Sequence, residues 1–152
     1  EVSKWAASQP KLKGIIAGAF DVMHPGYIRM FADAKQHCNH LTVALHEDPS
    51  MARPHKLKPV QTVEERKEIL KAIKYVDDVV VYQAENTFLS YLDDYDIRFL
   101  GTDYKDGSYT GKDIDIEIVW LDRENHDYSS TRLKTQIHQS VNEKMLVCEN
   151  YD

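Results

Sequence analysis

Cysteine is scarce in this chain. Its two residues, Cys38 and Cys148, cannot build a disulfide framework and fall in no metal-binding spacing. That usage points to a reduced, intracellular and cytoplasmic setting. No apolar run approaches the roughly 18 residues that cross a bilayer, and the polar stretch 1–12 lacks the apolar core of a signal peptide. Positive charge is in deficit: 19 basic against 25 acidic residues give a net charge of −6. This argues against nucleic acid or an anionic membrane as a partner held by overall charge, and leaves room only for a local basic patch. Glycine and proline are few, at 6 and 5 residues. There is no internal repeat and no low-complexity segment.

What is present suits one globular domain. The chain has 152 residues, 42% hydrophobic and 29% charged, long enough to bury a core without staples. An extension over 1–12, a domain over 13–139 and a tail over 140–152 are expected, the tail polar and frayed.

Apolar runs at Gly14–Ala19, Leu41–Leu45, Asp78–Tyr82, Ile97–Leu100 and Ile114–Leu121 have strand character. Runs apolar on both faces suit a parallel sheet buried on both sides. Helical segments lie between them. Tyr27, Phe31, Ala34 and Cys38 share one helical face behind Pro25. Thr62 and Glu65 form a capping box that opens a second helix. Shorter patterns cover Thr87–Tyr95 and the segment from Ser129 or Ser130 to Ile137. The alternation predicts an α/β domain: doubly wound, Rossmann-like, with a mainly parallel five-stranded sheet and helices on both faces. Two loops stand out beside strand ends. Residues 47–61 hold three of the prolines with Arg53, Lys56 and Lys58, and residues 102–113 are polar with two glycines.

The chemistry concentrates in Gly18-Ala-Phe-Asp-Val-Met-His-Pro-Gly-Tyr27, which follows the first strand and opens the first helix. A helix start offers free amides and partial positive charge, a setting that favours phosphate. His24 and Tyr27 project from the first turn, Gly26 permits close approach to the backbone, and Asp21 places a carboxylate at the strand end, suited to a Mg²⁺ ion or a polar substrate group. The two common phosphate loops, G-x-x-x-x-G-K-[ST] and G-x-G-x-x-G, are absent from the first strand–helix turn.

The turn resembles the G-x-F-D-x-x-H-x-G-H signature of nucleotidyltransferases that transfer a nucleotidyl group from CTP or ATP to a phosphate. It departs at the last position, where Tyr27 replaces histidine. Glu64–Leu70 with Lys74–Val80, Phe99–Tyr104, and Arg123 with Tyr128–Leu133 resemble, in order, later segments of glycerol-3-phosphate cytidylyltransferases. The resemblance implies transfer of CMP from CTP to a phosphorylated small alcohol such as glycerol 3-phosphate. The alternatives are an adenylyltransferase acting on FMN or a sugar phosphate, and a non-catalytic nucleotide-binding homologue. It implies catalytic roles for His24, Tyr27, Lys56 and Lys58. Ala19, Phe20, His24, Gly26, Gly101, Asp103, Arg123, Ser129, Ser130 and Thr131 are the expected nucleotide-binding residues, and Asp21, Arg66 and Lys74 the expected acceptor-binding residues. Mg²⁺ held through the nucleotide phosphates and a homodimer are implied as well. The other histidines, His46 among them, are read as surface or structural.

Overall fold

The computed structural model describes residues 12–123 and 126–150. The expected extension therefore lies almost wholly outside the described residues.

Five strands form one parallel sheet: β1 (Lys13–Gly18), β2 (His40–His46), β3 (Asp78–Tyr82), β4 (Ile97–Gly101) and β5 (Glu117–Leu121). Their order is β3-β2-β1-β4-β5, with every pairing parallel. The chain winds from β1 outwards to β3, then returns to the far side of β1 as β4. That reversal opens a crevice at the carboxyl ends of the strands, where ligands bind in this architecture. Among the described residues four α-helices connect and flank the strands: α1 (Pro25–Lys35), α2 (Val63–Lys71), α3 (Glu85–Tyr91) and α4 (Ser130–Asn150). The doubly wound α/β fold read from the sequence is the fold observed.

Alternation along the strands divides the core. Ile16, Val43, Leu45 and Phe99 pack with Phe31 and Ala34 of α1 and Leu70 of α2 on one face. Ile15, Ala44 and Tyr82 pack with Phe88 of α3 and Leu92 on the other. Phe31, Ala34, Leu41 and Leu70 are fully buried. Removing a ring such as Phe31 would cost about 3–5 kcal/mol, transfer and cavity terms together. The capping box is present: the Glu65 amide donates to Thr62 Oγ1 at 3.1 Å and the Thr62 amide to Glu65 Oε1 at 2.9 Å.

Two expectations are corrected. The last strand begins at Glu117 instead of Ile114, because Ile114 and Ile116 turn aside to pack against the α3 cluster. And α4 continues as helix through the expected boundary at residue 139 to Asn150, since the segment has no glycine or proline to stop it. Among the described residues no helix is long and apolar enough to cross a membrane.

Candidate active site

The loop between β1 and α1 is strained. Phe20 has φ 46° and Val22 has φ 55°, left-handed values that cost a non-glycine residue on the order of 1–3 kcal/mol each. Surrounding contacts hold this conformation. The Asp21 carboxylate accepts the amides of Val60 at 2.7 Å and Gln61 at 3.0 Å, and pairs with Lys134 Nζ at 2.6 Å. The Val22 amide donates to Gln61 Oε1 at 3.0 Å. Ser130 Oγ donates to the Asp21 carbonyl. Burial works to raise the Asp21 carboxyl, but Lys134 and the two amides outweigh it and hold it below the usual carboxylate range.

Ser130 also fixes Tyr27. Its hydroxyl proton goes to the Asp21 carbonyl, so Tyr27 is the donor in the 2.8 Å contact between the two hydroxyls. The start of α1 is thereby tied to the start of α4. His24 stacks on Tyr27, with ring centroids 3.8 Å apart. It is the N-cap of α1 by position, yet its side chain caps nothing. Its ring is buried and neither nitrogen has a hydrogen-bond partner. Burial, then the charges of His126 and Arg123, keep the imidazole below its ordinary range, so it is neutral at pH 7.

A cleft of about 780 Å³ opens over the carboxyl ends of the strands. Of the expected residues, Ala19, Phe20, Asp21, Tyr27, Lys56, Gly101, Arg123, Ser130 and Thr131 line it. Five cations (Arg53, Lys56, Arg98, Arg123 and Lys134) face two carboxylates, Asp21 and Glu85. This is a local basic region in an acidic chain. Arg123 packs across Gly101, leaving no room there for a side chain. Ser129 does not reach the cleft. It caps α4 by accepting the Arg132 amide at 3.0 Å.

Other expected residues stand elsewhere. His24 lies one ring layer behind Tyr27, with Gly26 packed between it and His126, and neither His24 nor Gly26 lines the cleft. Lys58 and Asp103 are exposed beside it. The three expected acceptor-binding residues are placed in other settings. The Asp21 carboxylate accepts from Val60 and Lys134 at Oδ2 and from Gln61 at Oδ1, so it organises the loop. Arg66, only 2% exposed, donates to the carbonyls of Gln61, Thr62, Ala19, His46 and Glu47 at 2.7–3.3 Å. It stitches β1, β2 and the proline-rich loop together, with no fork left for a phosphate, and it is not an exposed partner of Glu64 or Glu68 either. Lys74 is exposed and lies over the Tyr75 ring, 5.1 Å from its centroid. It precedes β3, at the amino-terminal edge of the sheet, a strand length from the cleft.

Among the lining residues that the sequence reading did not propose are Lys134, Tyr82, His46 and Arg98. Lys134 carries no motif. Tyr82 looked like a strand-end core residue. His46 and Arg98 gave a signal that was legible: a histidine ending one strand and an arginine inside the apolar run Ile97–Leu100. Both are buried and both line the cleft.

A family model described as cytidylyltransferase-like matches residues 15–136, which include this turn, the cleft-lining strands and the start of α4. The chain belongs to the cytidylyltransferase-like family. The nucleotidyltransferase resemblance drawn from the motifs is thus borne out. Among curated relatives, a bifunctional protein HldE from Hyphomonas neptunium is 33% identical over 117 residues, 75% of this chain and 24% of that protein. An FAD synthase from Pyrococcus horikoshii is 35% identical over 74 residues, 49% of this chain and 50% of that protein. The chain therefore spans about a quarter and a half of these relatives' lengths. A crystal structure of a lipopolysaccharide core biosynthesis protein from Thermoplasma volcanium superposes with a TM-score of 0.62 at 20% identity, over 79% of this chain and all of that one. It confirms the fold.

Proposed function

We propose that this protein transfers a nucleotidyl group from a nucleoside triphosphate, CTP first, to the phosphate of a small phosphorylated acceptor, releasing pyrophosphate. The observation that carries this reading is convergence. The starts of α1 and α4 are tied together through Tyr27 and Ser130, and Lys56, Arg123 and Lys134 line the same cleft. Helix-start amides and a ring of cations suit the spreading negative charge of a phosphoryl centre under attack.

The acceptor phosphate has a second pKa of about 6 and is largely dianionic at neutral pH, so no general base is required. One of its oxygens bonds to the α-phosphorus in line, the bond from that phosphorus to the α,β-bridging oxygen breaks, and pyrophosphate leaves with the electron pair. The protein's part is to position the reactants and stabilise charge. Thr131 at the start of α4 and Arg123 hold the β- and γ-phosphates, and Lys56 closes over them from the proline-rich loop. His24 is the candidate donor to the transferring phosphate: its neutral ring is unpartnered, and it lies behind Tyr27, which must swing aside to admit it to the cleft. Among the described residues no group of three acidic, histidine or cysteine side chains could hold a metal. A Mg²⁺ ion would be held by the triphosphate oxygens and would supply further positive charge there.

Incubation with CTP or ATP, Mg²⁺ and a panel of phosphorylated alcohols, sugars and FMN tests the reading through pyrophosphate release. His24→Ala is expected to lower turnover roughly 10²–10³-fold, the usual loss for a preorganised donor, with nucleotide affinity kept. Silence across the panel overturns it. A second reading, adenylyl transfer, is favoured by the FAD synthase relative, and exchanging ATP for CTP decides between the two.

A further inference from the structure

His24 is closed in by other rings. Tyr27 stacks on it with centroids 3.8 Å apart, and Tyr128 lies within 14° of parallel to it at 6.1 Å. A Cβ at Gly26 would come within 2.9 Å of the His24 ring and 2.6 Å of the His126 ring, so that side is tightly packed as well. The imidazole is 6% exposed, and neither nitrogen has a partner among the described residues. Two polar atoms buried without a bond raise the energy of this arrangement and favour any state that supplies one. Of the two tyrosines, Tyr27 alone lines the cleft. Its ring is the wall between His24 and the phosphate site.

That wall is lightly held. The Tyr27 phenol donates to Ser130 Oγ at 2.8 Å, a bond between two neutral hydroxyls. Ser130 gives its own proton to the Asp21 carbonyl and has none left for a phosphate. Burial pushes the Tyr27 phenol above its ordinary range, so its proton stays in place to be donated. Both hydroxyls line the cleft together with Arg123, Thr131 and Lys134. A phosphate oxygen drawn in by these cations is a charged acceptor, and a hydrogen bond to it is roughly twice as strong as one to a neutral oxygen. A phosphate at this spot therefore takes the Tyr27 hydroxyl from Ser130, and the ring moves off the imidazole with it.

We propose that Tyr27 is a latch over His24, closed by Ser130 in the free protein and opened by the triphosphate, so that the nucleotide itself uncovers the imidazole. The latch sets an order of events: an acceptor that arrives first finds His24 shut away. It rests on the nucleotidyl-transfer reading for the use made of His24, but its opening can be followed without turnover.

Proton NMR of the whole protein tests it, with the His24 ring signals assigned by comparison with His24→Gln. Stacked against Tyr27, those ring protons lie upfield. A non-hydrolysable CTP analogue and inorganic tripolyphosphate, each with Mg²⁺, should move them downfield on binding. Ser130→Ala removes the closing acceptor from the free state alone. Its His24 signals should be shifted part-way before any ligand is added, and it should bind the analogue about 2- to 10-fold more tightly, the factor of one released neutral hydrogen bond. A Ser130 that merely held phosphate would give weaker binding instead. If Ser130→Ala fails to fold by circular dichroism, Tyr27→Ala carries the test: with the cover gone, its His24 signals should start near the bound position and move little. Either ligand binding by calorimetry while the wild-type His24 signals stay put overturns the latch. So does a folded Ser130→Ala that binds the analogue more weakly, or a lack of binding by both ligands. His24 signals that move as proposed, with no pyrophosphate released across the acceptor panel, would strike the transfer reading and leave the latch standing.

Discussion

Two arginines are buried in this molecule, on opposite faces of one sheet, and their surroundings differ in kind. Arg66 reaches up from α2 and donates to five backbone carbonyls. Arg98, inside β4 on the other face, has one carbonyl and two aromatic rings. Both are about equally hidden, at 2% and 5% exposure, so burial alone would rank them together. Hydrogen-bond saturation separates them: the first guanidinium is complete and holds the fold, while the second is incomplete and faces a cleft. A saturated buried charge is structure, and an unsaturated one beside a cavity points to a ligand.

The largest expected effect tests that contrast. Arg66→Ala takes the guanidinium away from five carbonyls, among them that of Thr62, which keeps another donor in the Arg66 amide, and removes a fully packed side chain, so it should destabilise the fold by about 3–5 kcal/mol. Arg98→Met removes an unpaired buried charge and keeps most of its volume, so its stability should stay within about 1 kcal/mol of wild type. Urea unfolding of both variants provides the measurement. Equal losses would erase the distinction drawn here.

Asp21→Asn should come next, at roughly 1–3 kcal/mol, because a buried charged acceptor of two amides and a lysine is lost. The pH dependence has a definite sign. The folded-state pKa of Asp21 is depressed below the ordinary 3.8. Its stabilisation is therefore full above that value and is lost as pH falls through the folded pKa. The wild type should show this loss in acid melts below about pH 4 and the Asn variant should not. A variant with an unchanged acid limb would assign that limb to other carboxylates.

Two buried histidines, each with an unpartnered ring nitrogen, sharpen the comparison of the two sides of the site. His24 stands on the α4 side and His46 on the α3 side, and burial lowers both from the ordinary 6.5. For a base held neutral by folding, the unfolded chain takes up the proton first. Stability should decline as pH drops below 6.5, by at most roughly 1.4 kcal/mol per pH unit for each ring. His24→Phe and His46→Phe should each flatten part of that slope between pH 6.5 and 5.

The fold was legible because its signals are local. Continuous apolar runs such as Leu41–Leu45 and Asp78–Tyr82, the capping box at Thr62 and Pro25 at a helix start each dictate their own element. The α1 turn was legible as a site because a phosphate-suited helix start follows a strand. What sequence could not supply was the long-range partner of each side chain. Arg66 read as an acceptor ligand because its five carbonyls lie on segments up to 47 residues away. Asp21 read as free because Val60, Gln61 and Lys134 are distant in the chain. Lys74 read as a site residue although its place before β3 puts it at the wrong end of the sheet. Conversely, His46 was passed over for lack of ligand spacing, a rule that finds metal sites and is blind to a lone buried ring at a strand end.

The smallest effect concerns helix starts, where the same contrast between complete and incomplete groups recurs. α2 is closed by the reciprocal bonds of Thr62 and Glu65, and α4 by Ser129. α1 has no side-chain cap at all, and its start lies beside the strained loop that reaches the cleft. Thr62→Ala should lower stability by about 1 kcal/mol, the ordinary value of a lost cap, read as a shifted urea midpoint at constant slope. Nucleotide affinity should not move, because neither Thr62 nor any residue of α2 lines the cleft. If Thr62→Ala weakened nucleotide binding as much as it weakened the fold, the proline-rich loop it anchors beside Gln61 would belong to the phosphate grip, and the division between scaffold and site would have to be redrawn at that loop.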